Sequence, residues 1–217
     1  AACGAGTVIP PGGSCTTYVV VRPLFAVAFE ALANFQLSDG AYSVPIAYQG
    51  SGTAPPPATT VTLIEYYHAA FDHYFVTHLQ DEITKLDNGT FAGWSRTGRS
   101  FKAWSGAGAG TSPVCRFFSE AFAPKSSHFY TPLAFECDLV KQNPDWIYEK
   151  IAFQLRLPEA GACPTSTIPL YRLYNNGLTG APNHRYTTST AIRTQMIAQG
   201  YAPEDDNTAC VPPQVGE

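Results

Sequence analysis

Charge is what this chain has least of. Only 14% of its 217 residues are Asp, Glu, Lys or Arg, against about 25% in an ordinary globular domain, so its cores must rest on aromatic packing. The 13 basic residues are outnumbered by 17 acidic ones, a net charge of -4, and this excludes the basic surface that nucleic acid requires. No apolar run approaches the ~20 residues of a membrane-spanning helix, and Ala1-Ala2-Cys3-Gly4 lacks the basic start and apolar stretch of a signal peptide. There is no Cys-x-x-Cys pair to suggest zinc and no Gly-x-Ser-x-Gly elbow. The serines near His128 form no triad. No catalytic residue, metal or cofactor is therefore assigned. The chain has instead 18 glycines, 18 prolines, 13 phenylalanines and 12 tyrosines, a composition of many turns and aromatic cores.

Three segments repeat one theme: Asp72-His73-Tyr74-Phe75-Val76-Thr77, Ser127-His128-Phe129-Tyr130-Thr131 and Asn183-His184-Arg185-Tyr186-Thr187. Self-similarity at a fixed period dictates architecture. Upstream of each lies a strand-like run, Glu65-Tyr66-Tyr67, Arg116-Phe117-Phe118 or Arg172-Leu173-Tyr174. Downstream, Leu79, Ile83 and Leu86, then Phe135, Leu139 and Val140, then Ile192, Met196 and Ile197 fall at helical spacing. An aromatic follows each helix (Trp94, Trp146, Tyr201), with Glu149 and Glu204 three residues after the last two and Thr97 in the first copy. Units of roughly 50 residues are too small to bury separate cores, so they should pack around a pseudo-threefold axis. The loop before each histidine varies in length, which places the binding face there.

Six cysteines point to disulfides and an oxidising compartment. Of fifteen possible pairings, locality favours Cys3 with Cys15, Cys115 with Cys137 and Cys163 with Cys210; buried free thiols are the competing reading. Residues 1 to about 53 differ in texture: Thr16 to Val21, Ala31 to Leu37 and Tyr42 to Tyr48 read as strands of an antiparallel sandwich. The expected fold is thus α+β, mostly β. A partial Ig-like β-sandwich (1–54) and a Pro-rich linker (55–60) precede a pseudo-threefold domain (61–217) of three strand-strand-helix-strand repeats, about 61–112, 113–167 and 168–213.

Two resemblances follow. Pro11-Gly12-Gly13-Ser14-Cys15, Val21-Arg22-Pro23 and Ala47-Tyr48-Gln49-Gly50-Ser51-Gly52 resemble the C-terminal half of an abnormal-spindle-type, choice-of-anchor Ig-like domain of bacterial surface proteins. Three strands fall short of the seven in a full sandwich. Either the chain is trimmed, or a partner chain completes it by strand addition. Residues 61 to 213 resemble a secreted bacterial and fungal repeat domain of unassigned function. The likeness rests on Tyr66-Tyr67-His68, on the three histidine motifs, on Tyr171-Arg172 and on Trp146 with Glu149. That resemblance implies an extracellular or cell-surface location and brings no catalytic residues.

A histidine present in every unit reads as internal glue, so His128, His184, Arg116, Arg172, Glu149 and Glu204 form an expected structural motif, the arginines pairing with the glutamates as ties between units. The first copy has Glu65 and Thr97 instead, and a differing unit is where a single site could form. Its exposed aromatics and imidazoles, Tyr67, His68, His73, Trp94 and Trp104, are the expected ligand residues. The run His68-x4-His73-x4-His78 invites a metal, but spacing of five places the rings on alternating faces of a strand. Glu65, Asp72 and Glu82 are the carboxylates a glycosidase would need. Asn88-Gly89-Thr90 matches a glycosylation acceptor and reads as a plain turn in a bacterial chain. The expected function is a non-catalytic extracellular binding or adhesion module for a glycan or surface polymer. The alternatives are a structural subunit of a surface assembly, and below that a secreted hydrolase.

Overall fold

The computed structural model describes residues 28–36, 43–51, 59–178, 180–204 and 209–214, and the chain divides into two units, Ala1–Pro55 and Pro56–Glu217. In the first unit, β1 (Ala28–Gln36) and β2 (Ser43–Ser51) pair antiparallel, with Ala28 opposite Ser51 and Gln36 opposite Ser43. The expected strand Thr16 to Val21 and the expected bond between Cys3 and Cys15 lie outside the described residues.

The second unit runs through the same order of elements three times. The first repeat has β3 (Thr60–His68), β4 (His73–Thr77), α1 (Gln80–Asp87) and β5 (Trp94–Trp104). The second has β6 (Thr111–Ser119), β7 (Ser127–Thr131), α2 (Ala134–Val140) and β8 (Ile147–Arg156). The third has β9 (Ile168–Tyr174), β10 (His184–Thr187), α3 (Thr190–Ala198) and a last strand in two pieces, β11 (Ala202–Pro203) and β12 (Ala209–Val211). Within each repeat the first strand is central, paired antiparallel with the short second strand and with the last. The last strands join the repeats: Trp104 of β5 pairs with Gln154 of β8, and Arg156 of β8 with Cys210 of β12. Since β12 also lies against β5, the ten-stranded sheet nearly closes into a barrel.

The threonine that ends each histidine motif has a common duty. Thr77, Thr131 and Thr187 each accept a backbone N–H bond two residues on, from Leu79, Leu133 and Ser189 at 3.0, 3.1 and 3.2 Å. That local bond turns the chain from strand into helix. Asn88 ends α1 in a similar turn, its Oδ1 accepting from the Thr90 N–H at 2.9 Å.

Strand register corrects one expectation. Glu65 faces Val76, Arg116 faces Tyr130 and Arg172 faces Tyr186. Counting back, His73 is equivalent to Ser127 and Asn183, whereas Tyr74 occupies the place of His128 and His184. Aligning the three histidines slips the first repeat by one residue, and a one-residue slip exchanges the two faces of a strand. His73 accordingly lies fully buried where the three repeats meet, its Nδ1 donating to the Ser126 carbonyl at 2.7 Å. Beside it, the Asn183 amide donates to the Tyr74 carbonyl (3.1 Å) and to Ser127 Oγ (3.2 Å), and accepts from the Tyr74 N–H at 2.7 Å. Tyr130 Oη donates to the Val76 carbonyl (2.7 Å) and Tyr186 Oη to the Tyr130 carbonyl (2.8 Å), a chain of equivalent positions that ends at the valine of the first repeat.

The shared core draws on all three repeats. Leu63, Val114 and Leu170 occupy equivalent places, with Phe101, Phe153, Leu155 and Val211 around them; each such side chain contributes about 1.5–3 kcal/mol by leaving water. The helices bury Ile83 and Leu86, Cys137, and Ile192 and Met196. In α2 the expected inward residues Phe135 and Leu139 are instead 71% and 64% exposed, because the helix turns Cys137 inward to bond Cys115. A second disulfide joins Cys163 to Cys210 on β12. Among the described residues no helix is long and apolar enough to cross a membrane.

Candidate functional site

A cleft of about 960 Å³ opens between the first and second repeats. At its base lies Arg116, buried, from the central strand β6. Its Nε donates to Glu149 Oε2 at 2.6 Å within the repeat, and its Nη1 to Glu82 Oε2 at 3.0 Å on helix α1 of the neighbour. Thr77 Oγ1 donates to the same Glu82 oxygen at 2.5 Å. Burial alone would raise the Glu82 pKa, but the bonds from Arg116 and Thr77 outweigh it and hold the carboxyl below its usual range. His128 lies 3.3 Å from Arg116 Nη2. Burial, and then the guanidinium, push its pKa well below the usual value, so the imidazole is neutral. Around this polar base stand five aromatic rings, Phe71, Phe75, Phe91, Trp94 and Phe118. The rim comes from the loop that precedes β7, at Glu120 and Ala123 to Ser126, and from Asp81 and Lys85 of α1. The lining carries four carboxylates and three cations, a balance of -1.

A second cleft, of about 300 Å³, repeats this arrangement between the second and third repeats. Arg172 Nε donates to Glu204 Oε2 at 2.6 Å, while Nη1 and Nη2 donate to the two oxygens of Glu136 on α2 at 2.7 and 2.8 Å. His184 Nε2 stands 3.3 Å from Glu204; burial pushes its pKa down against the pull of that carboxylate. Trp146 and Tyr174 supply aromatic walls, and Pro182 part of the rim.

The third interface, between the last repeat and the first, inverts the charges. Glu65 stands where the others have arginine, and Thr97 Oγ1 donates to it at 2.8 Å in the place of Glu149 and Glu204. From the neighbour comes Arg185, at the position of Phe75 and Phe129, with Nε and Nη2 donating to the two oxygens of Glu65 at 2.9 and 2.8 Å. Its guanidinium lies 4.1 Å over the Tyr74 ring and reaches Met196 Sδ. Ile192 replaces the helix glutamate. Here Arg185 packs on Tyr74, and a 240 Å³ pocket is lined by Glu65 and Ile192 together with Gly98–Phe101 and Thr187–Ser189.

A family model described as a domain of unknown function (DUF5648) matches residues 62–211. The chain belongs to this family. The matched span runs from β3 to β12 and so includes all three repeats and both clefts. No curated protein and no solved structure is similar to the chain at a significant level.

The five expected ligand residues do not form one patch. Trp94 faces the first cleft, with His68 edge-on behind it at 5.3 Å. His68 itself is buried, stacked on Phe71 at 3.6 Å and accepting from the Phe71 N–H at 3.2 Å. His73 is sealed in the centre. Tyr67 belongs to the third interface, where it donates to Asp72 at 2.8 Å and its pKa is pushed up to about 12, first by burial. Trp104 lies at the far end of β5, under the Arg156 guanidinium. With His78 edge-on to Phe153, the three spaced histidines do not converge, and among the described residues no three potential metal ligands cluster. The expected arginine ties also differ in detail. Arg116–Glu149 and Arg172–Glu204 are bonds within repeats; the links between repeats run to Glu82 and Glu136. Nor does the divergent Glu65–Thr97 pair open a cleft like the other two: Arg185 bonds Glu65 there, and Glu65 lines the 240 Å³ pocket beside β5. The sequence signal for the missed residues was Thr-x4-Glu in the first two copies, against Ile192 in the third.

Proposed function

We propose that this domain is a non-catalytic extracellular binding module that recognises carbohydrate in the cleft between its first two repeats. The observation that carries this reading is the pairing of five aromatic rings with a rigid base of Arg116, Glu82, Glu149 and His128. Sugar rings present apolar C–H faces that stack on aromatics and hydroxyls that bond to planar polar groups. Because Arg116 already fixes the carboxylates, a ligand meets oriented groups and little ordering cost. The local balance of -1 favours neutral over anionic glycans. A binding role is further favoured over hydrolysis by Glu82, which Arg116 and Thr77 hold ionised, whereas a glycosidase acid needs a raised pKa. Disulfides fit an oxidising, extracellular setting.

The test is titration of the full chain with cellohexaose, chitohexaose, xylohexaose and mannohexaose, followed by tryptophan fluorescence. One of them binds saturably, and Trp94→Ala weakens it about tenfold, the ~1.4 kcal/mol expected of one stacking ring, while Trp104→Ala leaves it unchanged. Silence with all four glycans, or equal loss in both variants, rejects the reading.

The assembly reading rests on the first unit. Among its described residues this unit holds the antiparallel pair β1–β2, and two-stranded pairs gain stability from further strands. A neighbouring chain can add a strand to this pair, and a concentration-dependent sedimentation coefficient would reveal it.

A further inference from the structure

We infer that the domain holds a second ligand pocket of the same chemical class, between the second and third repeats, and so binds two glycan units per chain; this rests on the carbohydrate reading of the first cleft. The two clefts share residue types at positions fixed by strand register: Arg116 and Arg172, Glu149 and Glu204, His128 and His184. Helix glutamates and a tryptophan wall complete both sets.

Pseudo-symmetry alone does not require this likeness. The third interface joins two repeats through the Glu65–Arg185 pair, with Arg185 also reaching Met196 Sδ. The third junction keeps a pocket of about 240 Å³, but Glu65, Ile192 and residues of β5 line it in place of an Arg–Glu–His base and a tryptophan wall, so two of three junctions share one polar set that the fold does not impose on the third. His184 matches His128 in its setting. It lines the pocket with its Nε2 3.3 Å from Glu204 Oε2, as His128 lines the first cleft beside Arg116 and Glu149.

The pockets differ in reach. The first, extended by the 120–126 loop, has the volume for several sugar rings, whereas the second, at about 300 Å³, is at the lower end of small-ligand sites and suits a single neutral pyranose or one unit of a chain. Two sites on a rigid body raise avidity for a polymer without any new contact.

Each cleft has its own tryptophan, which separates the signals. The experiment titrates the same four hexaoses into the full chain by calorimetry, and into two single-tryptophan proteins by fluorescence. Trp94→Phe/Trp104→Phe retains Trp146 in the second pocket, and Trp104→Phe/Trp146→Phe retains Trp94 in the first. Expected are two glycan units bound per chain, saturable responses from both reporters, and a fall to one unit in Trp146→Ala with the first-cleft affinity retained. One unit per chain with a silent Trp146 overturns the second pocket and leaves the first-cleft reading intact. No response from either reporter with any hexaose overturns both.

Discussion

Replacing Arg185 by methionine tests whether the third junction is an energetic tie. Methionine keeps most of the length and packing of arginine, so the chief loss is charge. Glu65 then remains with a side chain only 3% exposed and the Thr97 hydroxyl as its one remaining side-chain donor. Breaking one partner of a buried pair costs about 3–5 kcal/mol, and a domain of this size loses roughly 2–4 °C of Tm per kcal/mol. The expected drop is therefore roughly 6–20 °C. All three tryptophans lie in the second unit, so urea unfolding followed by their fluorescence reports on that unit. The double variant Glu65→Leu/Arg185→Met removes both charges, and a buried pair exchanged for apolar groups is often neutral; it should recover most of the loss. A single-variant cost below about 1 kcal/mol, the worth of a surface pair, or a double variant no better than the single, would refute the reasoning.

Three further outcomes are expected. Bridges closing loops of 22 and 47 residues contribute roughly 3 and 4 kcal/mol through the unfolded chain, so Cys163→Ala/Cys210→Ala should lower the urea midpoint more than Cys115→Ala/Cys137→Ala; the reverse order contradicts the loop argument. His128 and His184 have folded pKa values depressed by burial, and so contribute stability that is full above pH 6.5 and declines as pH falls through that value. Glu82 and Glu204, also depressed, add their own loss below about pH 4.5. Tm should drop between pH 7.5 and 5, and the drop should shrink in His128→Asn; an unchanged slope counts against it. Gly93 has φ +85° and a Cβ there would come 2.1 Å from His68 Nε2. Gly93→Ala should therefore cost more than the ~1 kcal/mol of an ordinary glycine position and shift the Trp94 emission; wild-type stability speaks against the packing described.

The repeat was legible because each copy needs the same local devices. The Thr77, Thr131 and Thr187 turns, the helices after them and the aromatics Trp94, Trp146 and Tyr201 all recur in the one-dimensional pattern. The register was not. His73, His128 and His184 look alike in sequence, and only the pairing of β3 with β4 shows that the first belongs with Ser127 and Asn183. The clefts were half-legible: Arg116, Glu149 and His128 were read as one motif because a single repeat supplies them all. Glu82 and Glu136 were missed in that role, since their link to the arginines depends on how neighbouring repeats pack. The loop-side rings Phe71 and Phe91 carried no periodic mark, and Phe118, which recurs as Tyr67 and Tyr174, carried no sign that it faces a cleft.

The inverted pair at the third junction also governs which repeats can become neighbours. If the first repeat took the second as its neighbour in place of the third, Glu65 would meet Glu136 and not Arg185; if the second took the third, Arg116 would meet Arg185. Both mismatches set like charges together in a poorly hydrated place, at a cost of several kcal/mol. The reversed polarity of one junction out of three thus sets the order of the repeats, since the Arg185 of a third repeat meets an opposite charge only on a first.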